Sequence, residues 1–183
     1  MRGLAPVLAV VVVLASTGCG LVDGVFGEKG GCSQYFSTAD GSIELCFPSG
    51  WHESGKDHPY DLSCFSRSKD MMTGVFVYTR EDLARGYTPQ ALLQEQIADI
   101  RSKRERFTIM GKQTTTAHDG KRLTTAVYSA EKGGEAYYYR FTLIEFVDNP
   151  DVVAVALQNT FPSDWAENEP ILDGITRSAR LTR

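Results

Sequence analysis

The second half of the chain fixes the fold class, because four segments with strand-like patterning follow one another with only turn material between them. These are "FTIMGKQTTTA", "KRLTTAVYSAE", "EAYYYRFTLIEFV" and "VVAVALQNTF", joined at "HDG", "KGG" and "DNPD". Asp119-Gly120, Gly133-Gly134 and Asn149-Pro150 are hairpin and loop signals, since each pair suits a backbone reversal that a strand interior does not tolerate. Connections this short cannot hold crossover helices, so the four strands must run antiparallel.

Three shorter strands precede them. "GSIELCF" alternates Ile43, Leu45 and Phe47 with Ser42, Glu44 and Cys46, the period-two pattern of a half-buried strand. "DLSCFSR" and "TGVFVYT" are the other two. Between these groups lies an amphipathic helix, capped by Thr88, with Pro89 in its first position and Leu93, Ile97 and Ile100 on one face, running to about Arg106. A second helix over about 164–179 repeats Ile171, Leu172, Ile175 and Ala179 at helical spacing. The expected class is α+β, an antiparallel sheet of about six or seven strands covered by two main helices in an α/β/α sandwich. "FPSGW" at 47–51 and "FPSDW" at 161–165 each close a strand, because proline has no N–H for the ladder, and they place Trp51 and Trp165 at the ends of the core.

Residues 1–18 have the pattern of a secretory signal: Arg2, an apolar run from Leu4 to Ala15, then small residues. That run is shorter than the roughly 18–20 residues a membrane span needs. Ser16, Thr17 and Gly18 directly before Cys19 resemble the lipobox of bacterial lipoproteins, which implies cleavage before Cys19 and its acylation. Multiple acyl chains hold a protein on a membrane far more firmly than one. Residues 19–35, with a glycine-rich "GLVDGVFGEKGG", form the expected tether, and 36–183 a single globular domain. The expected location is a cell membrane or outer membrane, facing the periplasm or cell exterior. A net charge of −4 without a basic block argues against nucleic acid as partner; "RSKRERF" at 101–107 is the wet end of a helix.

The early strand ending in "FPSGW" and the final "ILDGITRSARL", taken with the order three strands, helix, four strands, helix, resemble the PsbP and Mog-type superfamily, which includes DcrB-like envelope lipoproteins. The resemblance covers roughly residues 36–182. It implies an antiparallel sheet sandwiched by helices, without enzyme activity and used for docking on protein complexes.

No phosphate loop, dinucleotide fingerprint, zinc-protease helix or serine-hydrolase elbow is present in the chain. No catalytic residue and no cofactor are expected. Besides Cys19 there are Cys32, Cys46 and Cys64, so at most one internal disulfide can form. Three pairings are open, with Cys46–Cys64 favoured because both lie in expected neighbouring strands, and three buried thiols remain the alternative. His52, Glu53, Asp57 and His58 in "WHESGKDHPYD" offer imidazole and carboxylate chemistry for a metal, against the plainer reading of a solvated loop. In "EAYYYRF", Tyr138 and Arg140 share one face and form a candidate partner surface, since tyrosine and arginine dominate interface hot spots. The functional expectation is a membrane-anchored envelope lipoprotein whose non-catalytic domain binds or stabilises another envelope protein; a small-ligand or metal-binding lipoprotein, using a pocket between sheet and helix, is the alternative.

Overall fold

A computed structural model describes residues 31–55, 58–68 and 70–182. Eleven strands form two antiparallel sheets. The larger contains β3 (Trp51–Glu53), β4 (Leu62–Ser66), β5 (Met71–Tyr78), β10 (Val153–Thr160), β9 (Glu135–Phe146), β8 (Lys121–Lys132) and β6 (Glu105–Ile109) in that spatial order, with β7 (Thr114–His118) also paired to β8. The smaller has the order β1 (Gln34–Ser37), β2 (Ile43–Phe47), β11 (Arg180–Leu181). The described residues also form three α-helices: α1 (Arg80–Ala84), α2 (Pro89–Ser102) and α3 (Trp165–Arg177).

The period-two pattern sorts β9 and β10 into two faces. Tyr139, Phe141 and Leu143 of β9, with Val153, Val155 and Leu157 of β10, meet Leu92, Leu93, Ile97 and Ile100 of α2. Ile144 and Phe146, with Ala154 and Ala156, meet Leu172 and Ile175 of α3 together with Ile43, Leu45 and Phe47 of β2. This double cover explains why "VVAVAL" is apolar throughout, since a strand buried on both faces has no wet side to alternate toward. The sandwich is as expected, except that one outer layer combines α3 with the three-stranded sheet.

Local chemistry sets the joints. Thr88 accepts a hydrogen bond from the Ala91 N–H at 3.1 Å and caps α2. Asp119 and Gly120 have φ of 45° and 71°, and Gly133 and Gly134 have 60° and 84°, the doubly positive pattern of the tight hairpins joining β7–β8 and β8–β9.

Three local readings change. Helix α2 stops at Ser102 instead of Arg106, because Arg106 sits at φ 49° within a register shift of β6 against β8. "FTIMGKQTTTA" is two strands, β6 and β7, end to end along one edge of β8. The folded domain begins before residue 36, since Gln34 and Tyr35 pair with Phe47 and Cys46.

The first "FPS" turn has a larger role than ending a strand. Phe47 closes β2 in the small sheet, Gly50 takes φ 85°, and Trp51 opens β3 in the large sheet, so the chain changes sheets here. The two rings remain in contact, 5.2 Å apart, and join the cores of the two layers. In the second, Pro162–Asp164 make one tight helical turn that feeds Trp165 into α3.

The favoured Cys46–Cys64 disulfide is not formed. Cys32 is bonded to Cys46, with a Cα–Cα distance of 5.6 Å, and Cys64 is a buried free thiol. The reason is topological: Cys46 lies in β2 of the small sheet and Cys64 in β4 of the large one, so their strands are not neighbours. Burial, with Glu53 nearby, pushes the Cys64 thiol up to about 12, which leaves almost no thiolate at neutral pH.

Gly74 on β5 has a packing role. Its missing side chain leaves room for the Tyr60 ring, and a Cβ there would lie 2.6 Å from two ring carbons. Gly74→Ala is therefore expected to cost about 1–3 kcal/mol through overpacking, read as a lower urea midpoint at unchanged slope. An unchanged midpoint would show that Tyr60 is free to move.

Candidate functional site

The sequence-derived candidates do not assemble into one site. Cys19 and Asp57 lie outside the described residues. His52 and Glu53 are consecutive on β3, paired with Phe65 and Cys64 respectively, so they point to opposite faces and do not converge on one ion. The His58 ring lies 5.9 Å from Phe65 and 6.3 Å from Tyr60. Among the described residues no group of three His, Cys, Asp or Glu side chains is placed to hold a metal.

The proposed Tyr138–Arg140 partner surface is corrected by burial. Arg140 is only 3% exposed and faces α3. Its guanidinium donates to Gln158 at 2.8 Å, to the Thr176 hydroxyl at 3.0 Å and to the Asp173 carboxylate. Gln158 also donates to the Leu172 carbonyl at 2.9 Å. Asp173 in turn pairs with Arg177 at 2.5 Å. Desolvation lowers the Arg140 pKa from its ordinary value, opposed by the Asp173 charge. Tyr138 packs edge-on against Trp165 at 5.4 Å. Arg140 is thereby fastened between sheet and α3 and removed from any docking face, while Tyr138 remains half-buried beside Trp165.

Of the concavities among the described residues, two lie at opposite ends of α2. The first, of about 480 Å³, opens where the start of α2 approaches β7, the start of β8 and the end of β9. Ala117, Phe146, Pro150 and Val153 make its walls largely apolar, and Val147, 68% exposed, also lines it. Arg122 and Glu145 face each other across β8 and β9, with Nε to Oε2 at 2.8 Å and Nη2 to Oε1 at 2.5 Å. Lys121 is committed elsewhere, since its Nζ donates to the Ala179 carbonyl at 2.8 Å. Desolvation lowers its pKa, as expected of a buried ammonium. This cleft is thus largely apolar and flanked by a paired arginine and glutamate.

The second concavity, of about 350 Å³, lies beyond the last turn of α2, over β4, β5, β10 and β9. It is more polar, lined by tyrosines and by Arg104 and Lys132. The walls of both cavities come from segments far apart in the chain. Two stretches singled out in the sequence contribute to the second: "WHESGKDHPYD" through His58, Pro59 and Tyr60, and "EAYYYRF" through Tyr137 and Tyr139.

The chain's backbone superposes on a solution structure of cyanobacterial PsbP (CyanoP) from Synechocystis with a TM-score of 0.59, covering 85% of this chain and 96% of that one at 16% identity. The PsbP/Mog-type fold is thereby established. It is shared with LpqN of Mycobacterium tuberculosis, described as involved in cell envelope biogenesis (TM-score 0.58, 11% identity, 82% and 90% covered). It is shared too with the Ran-binding protein Mog1p of Saccharomyces cerevisiae (TM-score 0.53, 14% identity, 81% and 94% covered). No protein-family model matches the sequence, and no curated protein matches it. Within this PsbP/Mog-type domain, no described helix is long and apolar enough to cross a membrane.

Proposed function

We propose that this protein is a non-catalytic envelope lipoprotein, held on a membrane through acylated Cys19, whose PsbP/Mog-type domain binds or stabilises another envelope protein. The observation that carries the reading is the pairing of a lipobox-like Cys19 with this fold, which LpqN, of cell envelope biogenesis, also has. That Mog1p binds Ran supports partner docking as a use of the same scaffold. The contact surface we assign is the apolar cleft beside Val147, where burying an exposed aliphatic side chain and the cleft walls would drive association.

Two measurements test it. Cys19→Ser is expected to move most of the protein from the membrane to the soluble fraction, and unchanged fractionation would remove the anchor. A photo-crosslinker at Val147 is expected to trap a stoichiometric envelope protein, whereas one at Gln94, on the wet face of α2, is not. Equal yields at both positions would remove the assigned surface.

A further inference from the structure

The cavity beyond the end of α2 has a charge pattern that the docking reading does not use. Arg104 is half-buried at its wall, with Nε donating to the Tyr139 hydroxyl at 2.7 Å and Nη1 to the Lys103 carbonyl at 2.8 Å. Nη2 has no partner among the described residues. Lys132 lines the same cavity and forms no ion pair among the described residues. Among the described residues no carboxylate lines it. Of the acids nearby, Asp99 is paired with Lys103 at 2.7 Å and Glu131 with Arg106 at 2.7 Å, while Glu135 accepts from the Tyr137 hydroxyl at 2.8 Å at the cavity edge. Two cations without an ion-pair partner among the described residues share this recess, a place suited to negative charge.

The remaining walls mix His58 and Asn159 with flat rings and aliphatic surface. Tyr60, Phe65, Met72, Tyr137 and Leu157 contribute rings and aliphatic surface. Tyr60 is seated against Gly74 and lies 4.8 Å from Phe76, and Tyr137 lies 5.1 Å from Phe161, so both rings are braced from behind. Burial raises the Tyr60 pKa, opposed by the Arg104 charge, so its hydroxyl stays protonated and able to donate at neutral pH. A volume of about 350 Å³ falls at the small end of the range of organic-ligand sites.

We propose that this cavity binds a small organic anion, a carboxylate, sulfonate or phosphate head on a flat apolar body, with Arg104 and Lys132 holding the head and the Tyr60 and Tyr137 rings flanking the body. Arginine presents a planar donor pair to such a head, and lysine adds a mobile point charge at the mouth. The site is separate from the anchor and from the docking cleft, so its failure would leave that reading standing.

The test uses 1-anilinonaphthalene-8-sulfonate as the anionic probe and N-phenyl-1-naphthylamine as its uncharged counterpart, titrated by fluorescence into the mature protein. Amide shifts in a ¹H–¹⁵N spectrum locate the bound probe. The sulfonate is expected to bind at least tenfold more tightly than the amine and to shift Tyr137 and Asn159. Arg104→Gln and Lys132→Gln are each expected to weaken it about tenfold, the size of one charge-assisted hydrogen bond. Lys132, an exposed side chain without an ion-pair partner, keeps the test valid if loss of the Arg104–Tyr139 bond disturbs the fold. Equal affinity for the uncharged amine, indifference to Lys132→Gln, or shifts centred on Phe146 and Val153 would each overturn the assignment.

Discussion

Arg140→Ala is expected to destabilise the domain by about 3–5 kcal/mol, because it strands partners that were desolvated together. In a domain of this size that corresponds to a fall of roughly 10 °C in the melting temperature. The substitution leaves Oε1 of Gln158, fully buried on β10, without its donor, and deprives the Asp173 carboxylate of one of its counter-charges. The cost comes mainly from stranding these groups, since a buried ion pair adds little net stability over an apolar packing of the same shape. Arg140→Met combined with Asp173→Leu is therefore expected to recover much of the loss, even though it removes the pair entirely. Thermal and urea unfolding of the single and double variants decide this. If the double variant is no better than Arg140→Ala, the network contributes net attraction and the desolvation account fails.

Cys32→Ala is expected to cost about 3 kcal/mol, from the loop entropy that a crosslink across a sequence separation of 14 removes from the unfolded chain. Cys32 is only partly buried against the core, so little packing is lost with it. The crosslink holds the entry of β1 to β2, which otherwise depends on an edge strand of four residues. Reductant should lower the melting temperature of the wild-type domain by the same amount and leave Cys32→Ala unaffected. The Cys64 peptide should alkylate only after unfolding, and the Cys32 and Cys46 peptides only after unfolding with reductant. Labelling of Cys64 in the native protein would contradict its burial.

The charged network was partly visible in the sequence. Alternation places Tyr138, Arg140, Thr142 and Ile144 on one face of β9, and Ile144 belongs in a core, so Arg140 shares its direction with buried residues. Gln158, at the end of the apolar run "VVAVAL", is the matching signal, and the register sets it opposite Arg140. Two polar residues in otherwise buried strands mark a satisfied pair more often than a docking face. What the pattern lacked was the third layer, because Asp173 and Thr176 come from a helix more than thirty residues away.

The chain path also separates residues that are near in sequence. The turn at Pro48–Gly50 carries the chain from one sheet to the other between Cys46 and Cys64, so that pair does not meet. The same turn starts β3, whose pleat then separates His52 from Glu53.

Period, turn chemistry and capping are local, and they determined the antiparallel sheet, the hairpins at Asp119-Gly120 and Gly133-Gly134, the start of α2 at Thr88 and the two apolar faces of β9 and β10. Each of those features depends on dihedral preferences and hydrophobic repeats within a few residues. The tertiary structure alone decided which strands became neighbours, where Arg140 finds its counter-charge, which cysteine Cys46 meets, and that Arg104 and Lys132 share one recess. These depend on contacts between segments distant in the chain, whose geometry is set only when the layers pack.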